Sequence, residues 1–148
     1  MSTPVFHAQL CSRIAELGPL LQALQTWLGD EGVPAPAIRD AALMLDELIT
    51  NIVMHGYEGR TDGWIEVEAQ VQGASLLLTV RDSAPAFDPR SAPWPDADQP
   101  LDQRPVGGLG LMFVRRLADA LDYRRNLATD GRESNELRIT RHFAHPAV

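Results

Sequence analysis

Between Ala37 and Met54 the apolar residues Ala41, Leu45, Leu48, Ile49 and Ile52 return at helical spacing, and from Ile65 onward the period drops to two. That change of period constrains the chain more than any other feature. A helix with one apolar stripe, followed by half-buried strands, becomes stable when the stripe lies on the sheet. Ile65, Val67, Ala69 and Val71 alternate with polar residues, Gly73-Ala74 turns the chain, and Leu76, Leu78 and Val80 bring it back as a hairpin. Upstream, an extended segment near Val5 to Leu10 precedes a helix expected to begin at Pro19, where a missing N–H is harmless. It runs through Leu20, Leu21, Leu24 and Leu28 and ends at Gly29 to Gly32, with Pro34 and Pro36 as punctuation before the next helix. From Ala84 to Val106 periodicity is lost, and six of the eleven prolines fall there. This reads as a long acidic surface loop, either an active-site lid or a disordered insertion. A helix from Leu109 to Leu121 follows, then a strand pair, Tyr123 to Leu127 and Glu136 to Phe143, around Asp130-Gly131, with a frayed tail.

The order strand, helix, helix, two strands, loop, helix, two strands implies an α+β fold, a two-layer sandwich with a mostly antiparallel mixed sheet and helices on one face. The 148 residues, 45% of them hydrophobic, suit a single domain spanning 1–148 with its loop at about 84–108. A net charge of −7 leaves no electrostatic footprint for nucleic acid or an anionic membrane. Cys11 is the only cysteine, no apolar run approaches the roughly 20 residues of a membrane span, and no signal peptide is visible, so a cytoplasmic location is expected.

Glu47 and Asn51 are four residues apart and project from one side of their helix, nearly opposite the apolar stripe. Alone, such a pair is ordinarily a solvated face. Asp82 ends the second hairpin strand, where a carboxylate either starts a turn or accepts hydrogen bonds from a ligand. Gly107-Gly108-Leu109-Gly110 stands immediately ahead of a helix, which offers backbone N–H groups and the positive end of a helix dipole to phosphate oxygens. The spacing matches neither the dinucleotide fingerprint nor a Walker A loop.

In order, "DELITNIVMHGYEG", "VRDSAPAFDP" and "RPVGGLGLMFVRRL" resemble the boxes of the GHKL (histidine-kinase-like) ATPase superfamily, and within it the anti-sigma-factor serine/threonine protein kinases of the RsbW type. The likeness runs from about Val5 to Phe143. It implies a Bergerat-type sandwich that binds ATP and Mg²⁺ between the polar side of the motif helix and a lid. By that likeness Asn51 holds the Mg²⁺, Glu47 is general base toward a serine on a partner protein, and Asp82 accepts from the adenine amino group. The lid glycines Gly107, Gly108 and Gly110 admit the phosphates, with Arg104 adding a charge. His55, Ala84, Phe87, Leu109, Leu111 and Asn135 complete the implied nucleotide-binding set. The implied partners are a STAS-type anti-anti-sigma protein and a sigma factor or other regulator, in a homodimer that binds neither nucleic acid nor membrane. Two departures bear on activity: Ala84 stands where the family has glycine, and Ser134-Asn135 replaces a Gly-Thr pair near the phosphate side. A nucleotide-binding partner switch without phosphoryl transfer is the alternative. The Arg115-Arg116 and Arg124-Arg125 pairs read as solvated faces or as a match for an acidic surface on a regulatory partner, the tryptophans as packing anchors, with Trp94 in the loop the alternative partner contact, and a metal site built on His55 is not expected.

Overall fold

The computed structural model describes residues 3–90 and 108–144, with side chains of 108–110 left aside. Among the described residues five strands form one sheet in the order β1-β2-β3-β5-β4, where β1 is Val5–Cys11, β2 Trp64–Gln72, β3 Ser75–Asp82, β4 Ala120–Leu127 and β5 Glu133–His142. Every neighbouring pair is antiparallel, so the mostly antiparallel sheet expected from the sequence is antiparallel throughout.

Helix α1 (Leu17–Asp30) follows a short 3₁₀ turn and starts two residues before Pro19, which still lies in the first turn and forfeits no hydrogen bond. Helix α2 (Ala35–Asn51) also starts early. Pro36 is its second residue and Pro34 its extended cap, so these prolines open the helix rather than merely separate it from α1. Its far end departs further from expectation. From Ile52 to Gly56 the backbone widens into a π turn, in which Tyr57 N donates to Ile52 O at 2.8 Å and Gly59 N to Val53 O at 3.2 Å. Apolar spacing carries no trace of this, because Ile52 and Val53 continue the stripe. Helix α3 (Gly108–Leu117) stops four residues short of the expected Leu121, which belongs to β4 opposite Ile139. Leu117 and Leu121 have helical spacing, yet Leu121, Tyr123 and Arg125 also alternate, and pairing with β5 decides the matter.

Alternation fixes the two faces of the sheet. Ile65, Val67 and Ala69 of β2, Leu76, Leu78 and Val80 of β3, and Leu137 and Ile139 of β5 are buried under the helices. Against them lie Ala41, Met44, Leu45, Leu48 and Ile49 of α2, which packs between α1 and α3. Arg141 of β5 reaches Asp40 of α2 at 2.8 Å and ties the layers together. The opposite face carries charge: Arg81 stands 2.6 Å from Glu66, 2.9 Å from Glu68 and 2.8 Å from Glu136. Among the described residues no helix is long and apolar enough to cross a membrane.

Candidate functional site

Strand register sets three polar side chains in a row on the helix-covered face. Asp82 of β3 is paired with Asn135 of β5, and Asn135 with Arg125 of β4. Asp82 and Asn135 are 4% and 6% exposed, a costly place for a carboxylate and an amide unless each is hydrogen-bonded. Asn135 Nδ2 donates to Asp82 Oδ1 (2.9 Å) and to the carbonyls of Ala84 (3.2 Å) and Pro85 (3.1 Å). Asn135 Oδ1 accepts from the Tyr123 hydroxyl (2.5 Å) and Arg125 Nη1 (3.0 Å). Asp82 Oδ1 also accepts from Ala84 N at 2.9 Å. Its other oxygen, Oδ2, has no hydrogen bond to any described residue. Burial pushes the Asp82 carboxyl above the usual carboxylate range, against the opposing pull of Asn135, Ala84 N and Arg125.

The turn after Asp82 is fastened to the end of α2. Ser83 N donates to the Tyr57 hydroxyl at 2.7 Å, and that hydroxyl donates to Trp64 O at 2.5 Å. Burial raises the Tyr57 pKa, so the phenol stays protonated and keeps both roles. A Cβ on Gly63 would lie 2.6 Å from the Tyr57 ring, so glycine is required there. Ser12 secures the same loop, donating to Arg60 O and accepting from Gly63 N. Gly56 lies so close to Ala84 that a Cβ on it would stand 3.0 Å from the Ala84 Cβ. The Asp82 turn is therefore in contact with the π turn that follows α2.

From Gly56 the polar side of α2 leads back, over roughly 7 Å of helix axis, to Asn51 and then one turn further to Glu47. Both are half-buried and His55 is exposed. None of the three side chains hydrogen-bonds or ion-pairs with a described residue, in contrast to the saturated Asn135. A half-buried amide oxygen one helical turn from a half-buried carboxylate supplies the oxygen donors a hard divalent cation takes.

The remaining expected residues divide. Ala84 is buried at 2%, and Phe87 is 43% exposed with its N 3.5 Å from Asn135 Oδ1. Leu111 packs its side chain into the core. Gly108, Leu109 and Gly110 form the first turn of α3 rather than a turn ahead of it, and amides there have no intrahelical acceptor. Arg104, Gly107 and Trp94 lie outside the described residues. Asn135, expected on the phosphate side, sits against Asp82 instead, because β5 register pairs the two. Two arginines expected on solvated faces are engaged: Arg115 donates to Pro89 O (2.6 Å), and Arg125 to Ala84 O (2.9 Å) and Glu133 (3.2 Å). His7, Glu66 and Glu68 cluster on the other face of the sheet, where Arg81 already neutralises the carboxylates. The sequence reading missed Tyr57, Tyr123 and Arg125. For the last two a signal existed: beginning β4 at Ala120 puts Leu121, Tyr123 and Arg125 on the core face.

A sequence profile for the histidine kinase-like ATPase domain matches residues 10–141. The chain belongs to that family. Among curated relatives, this ATPase domain is 32% identical to the serine-protein kinase RsbW of Listeria monocytogenes over 93 residues, 60% of this chain and 59% of that protein. It is 32% identical to the serine/threonine-protein kinase BtrW of Bordetella bronchiseptica over 102 residues, 69% and 68% of the two chains. Its identity to the anti-sigma F factor of Clostridium beijerinckii is 26% over 92 residues, 57% and 59% of the two. The ATPase domain thus spans about three fifths of the length of the first relatives. In three dimensions it resembles the RsbU and RsbW domains of Rv1364c from Mycobacterium tuberculosis, with a TM-score of 0.64 at 22% identity, over 98% of this chain and 34% of that one. That likeness bears out the expected fold.

Proposed function

We propose that this ATPase domain is an anti-sigma regulatory factor with serine/threonine protein kinase activity toward a STAS-type anti-anti-sigma partner. The observation that carries the reading is Asp82 Oδ2, an oxygen of a carboxylate that is 4% exposed, with no hydrogen bond from a described residue, in a turn that touches Gly56 just past α2. A carboxylate so placed calls for an outside donor. An adenine amino group supplies it, and the family supports adenine as its source.

With the base against Asp82, the phosphates lie toward Asn51 and the first turn of α3. Asn51 is the residue to hold Mg²⁺, whose charge would neutralise the phosphate oxygens. Phosphoryl transfer needs chiefly positioning and charge neutralisation. Glu47 takes the proton from the partner's serine hydroxyl as its oxygen bonds to the γ-phosphorus and the bond to ADP breaks. His55, Arg104 and Gly107 to Gly110 belong to the proposed phosphate end. The relatives named serine-protein kinase and anti-sigma factor support both halves of the proposal.

A second reading, nucleotide-gated partner binding without transfer, is favoured by Ala84, whose methyl fills the gap against Gly56. Incubating the protein with ATP, Mg²⁺ and STAS-domain proteins from the same genome, with mass spectrometry for phosphoserine, separates the two. Modification that disappears in Glu47→Gln supports the kinase. ATP binding with no modified STAS protein leaves the gated binding module.

A further inference from the structure

An amide has two orientations related by a flip, and its neighbours decide between them. Arg125 has donors only, so the side of Asn135 that meets Nη1 at 3.0 Å must be the oxygen. The NH₂ group then faces three acceptors, Asp82 Oδ1 and the carbonyls of Ala84 and Pro85. Flipped, the amide oxygen would meet those acceptors while its NH₂ met the guanidinium. The Tyr123 hydroxyl, 2.5 Å from Oδ1, donates there and holds the amide in place, while the choice of orientation comes from Arg125 and the three acceptors. Register puts Arg125 directly opposite Asn135, and Tyr123 two residues along β4 on the same face.

We propose that Tyr123 and Arg125 are positioning residues that lock the Asn135 amide, hold Asp82 as an acceptor-only carboxylate, and thereby make the site select 6-amino over 6-oxo purine nucleotides. The inference rests on the ATP reading and adds what sets the choice of base. With Oδ1 occupied by Asn135 Nδ2 and Ala84 N, only Oδ2 remains for the base. An adenine amino group donates to it, whereas the guanine carbonyl would set lone pairs against lone pairs. Release of the lock removes the donor that opposes burial of the charge. Asp82 then protonates more readily, and a protonated carboxyl donates to a 6-oxo group. Base choice therefore degrades first at acidic pH.

The test is calorimetric titration of the full chain with Mg-ADP and Mg-GDP at neutral and mildly acidic pH, for the parent, Tyr123→Phe and Tyr123→Phe/Arg125→Met. The parent should favour ADP strongly. In the double variant the ADP-to-GDP ratio should fall about tenfold, and further at the lower pH. A purely packing role would weaken both nucleotides equally and leave the ratio intact, and that result overturns the proposal. If the double variant does not fold, Tyr123→Phe decides, since it removes one oxygen and retains the ring; an unchanged ratio at both pH values overturns the lock. A parent that binds both nucleotides equally refutes the base selectivity alone, whereas a folded parent that binds neither refutes the ATP reading beneath it.

Discussion

The two ends of the site are built on opposite principles. At the Asp82 end, Asn135 uses both ends of its amide, Tyr57 clamps the Ser83 turn, and one carboxylate oxygen is left over. At the Asn51 end, Glu47, Asn51 and His55 make no side-chain bond to a described residue, and the helix relaxes into a π turn just beyond. The protein thus spends its own hydrogen bonds on fixing one end and leaves the donors and acceptors of the other unengaged by described residues. Fixed groups give selectivity without reorganisation, and groups on a polar helix side bind what arrives with its own charge and metal. π turns of this kind recur at functional sites.

The comparison predicts that the same kind of substitution has opposite consequences at the two ends. The largest effect belongs to Glu47→Gln, which should retain ATP binding and lower phosphoryl transfer to the STAS partner by about 10²–10⁴-fold, read by mass spectrometry. Next is Asp82→Asn, which replaces the free acceptor with a donor and should weaken ADP by roughly 100-fold in calorimetry. Its stability should not fall. The parent carboxyl titrates above its unfolded value, so its charge costs stability above the raised pKa, and that cost is lifted as pH falls through it. Thermal melts should show Asp82→Asn at least as stable as the parent at neutral pH, with the margin shrinking on acidification. The stability contrast is smaller in size. Asn135→Ala strands Asp82, Tyr123 and Arg125 and should cost about 1–3 kcal/mol in denaturant titration. Asn51→Ala strands nothing among the described residues and should stay within about 0.5 kcal/mol. Equal losses at the two positions would break the comparison.

Both the fold and the motif boxes were legible because hydrophobic period reports burial directly: α1, α2 and the β2–β3 hairpin follow from Leu24, Leu45, Val67 and Leu78 and their neighbours. Boundaries were less legible where two periods coincide, as at Leu121, or where a proline opens a helix, as at Pro36. The Asn51 end was readable because Glu47 and Asn51 share one helix and four-residue spacing fixes their common side. The Asp82 end was less readable: alternation marks Tyr123 and Arg125 as core-facing, but that Asn135 meets Asp82, and Tyr123 and Arg125 meet Asn135, follows only from strand register.

The most direct test of the account is isothermal titration of the folded protein with ATP, with and without Mg²⁺, beside Asn51→Ala and Asp82→Asn. Binding that Mg²⁺ strengthens is expected in the parent, with that Mg²⁺ effect lost in Asn51→Ala and the affinity strongly weakened in Asp82→Asn. Absence of heat and of ADP competition in a folded parent would contradict it and leave a nucleotide-independent binding module in its place.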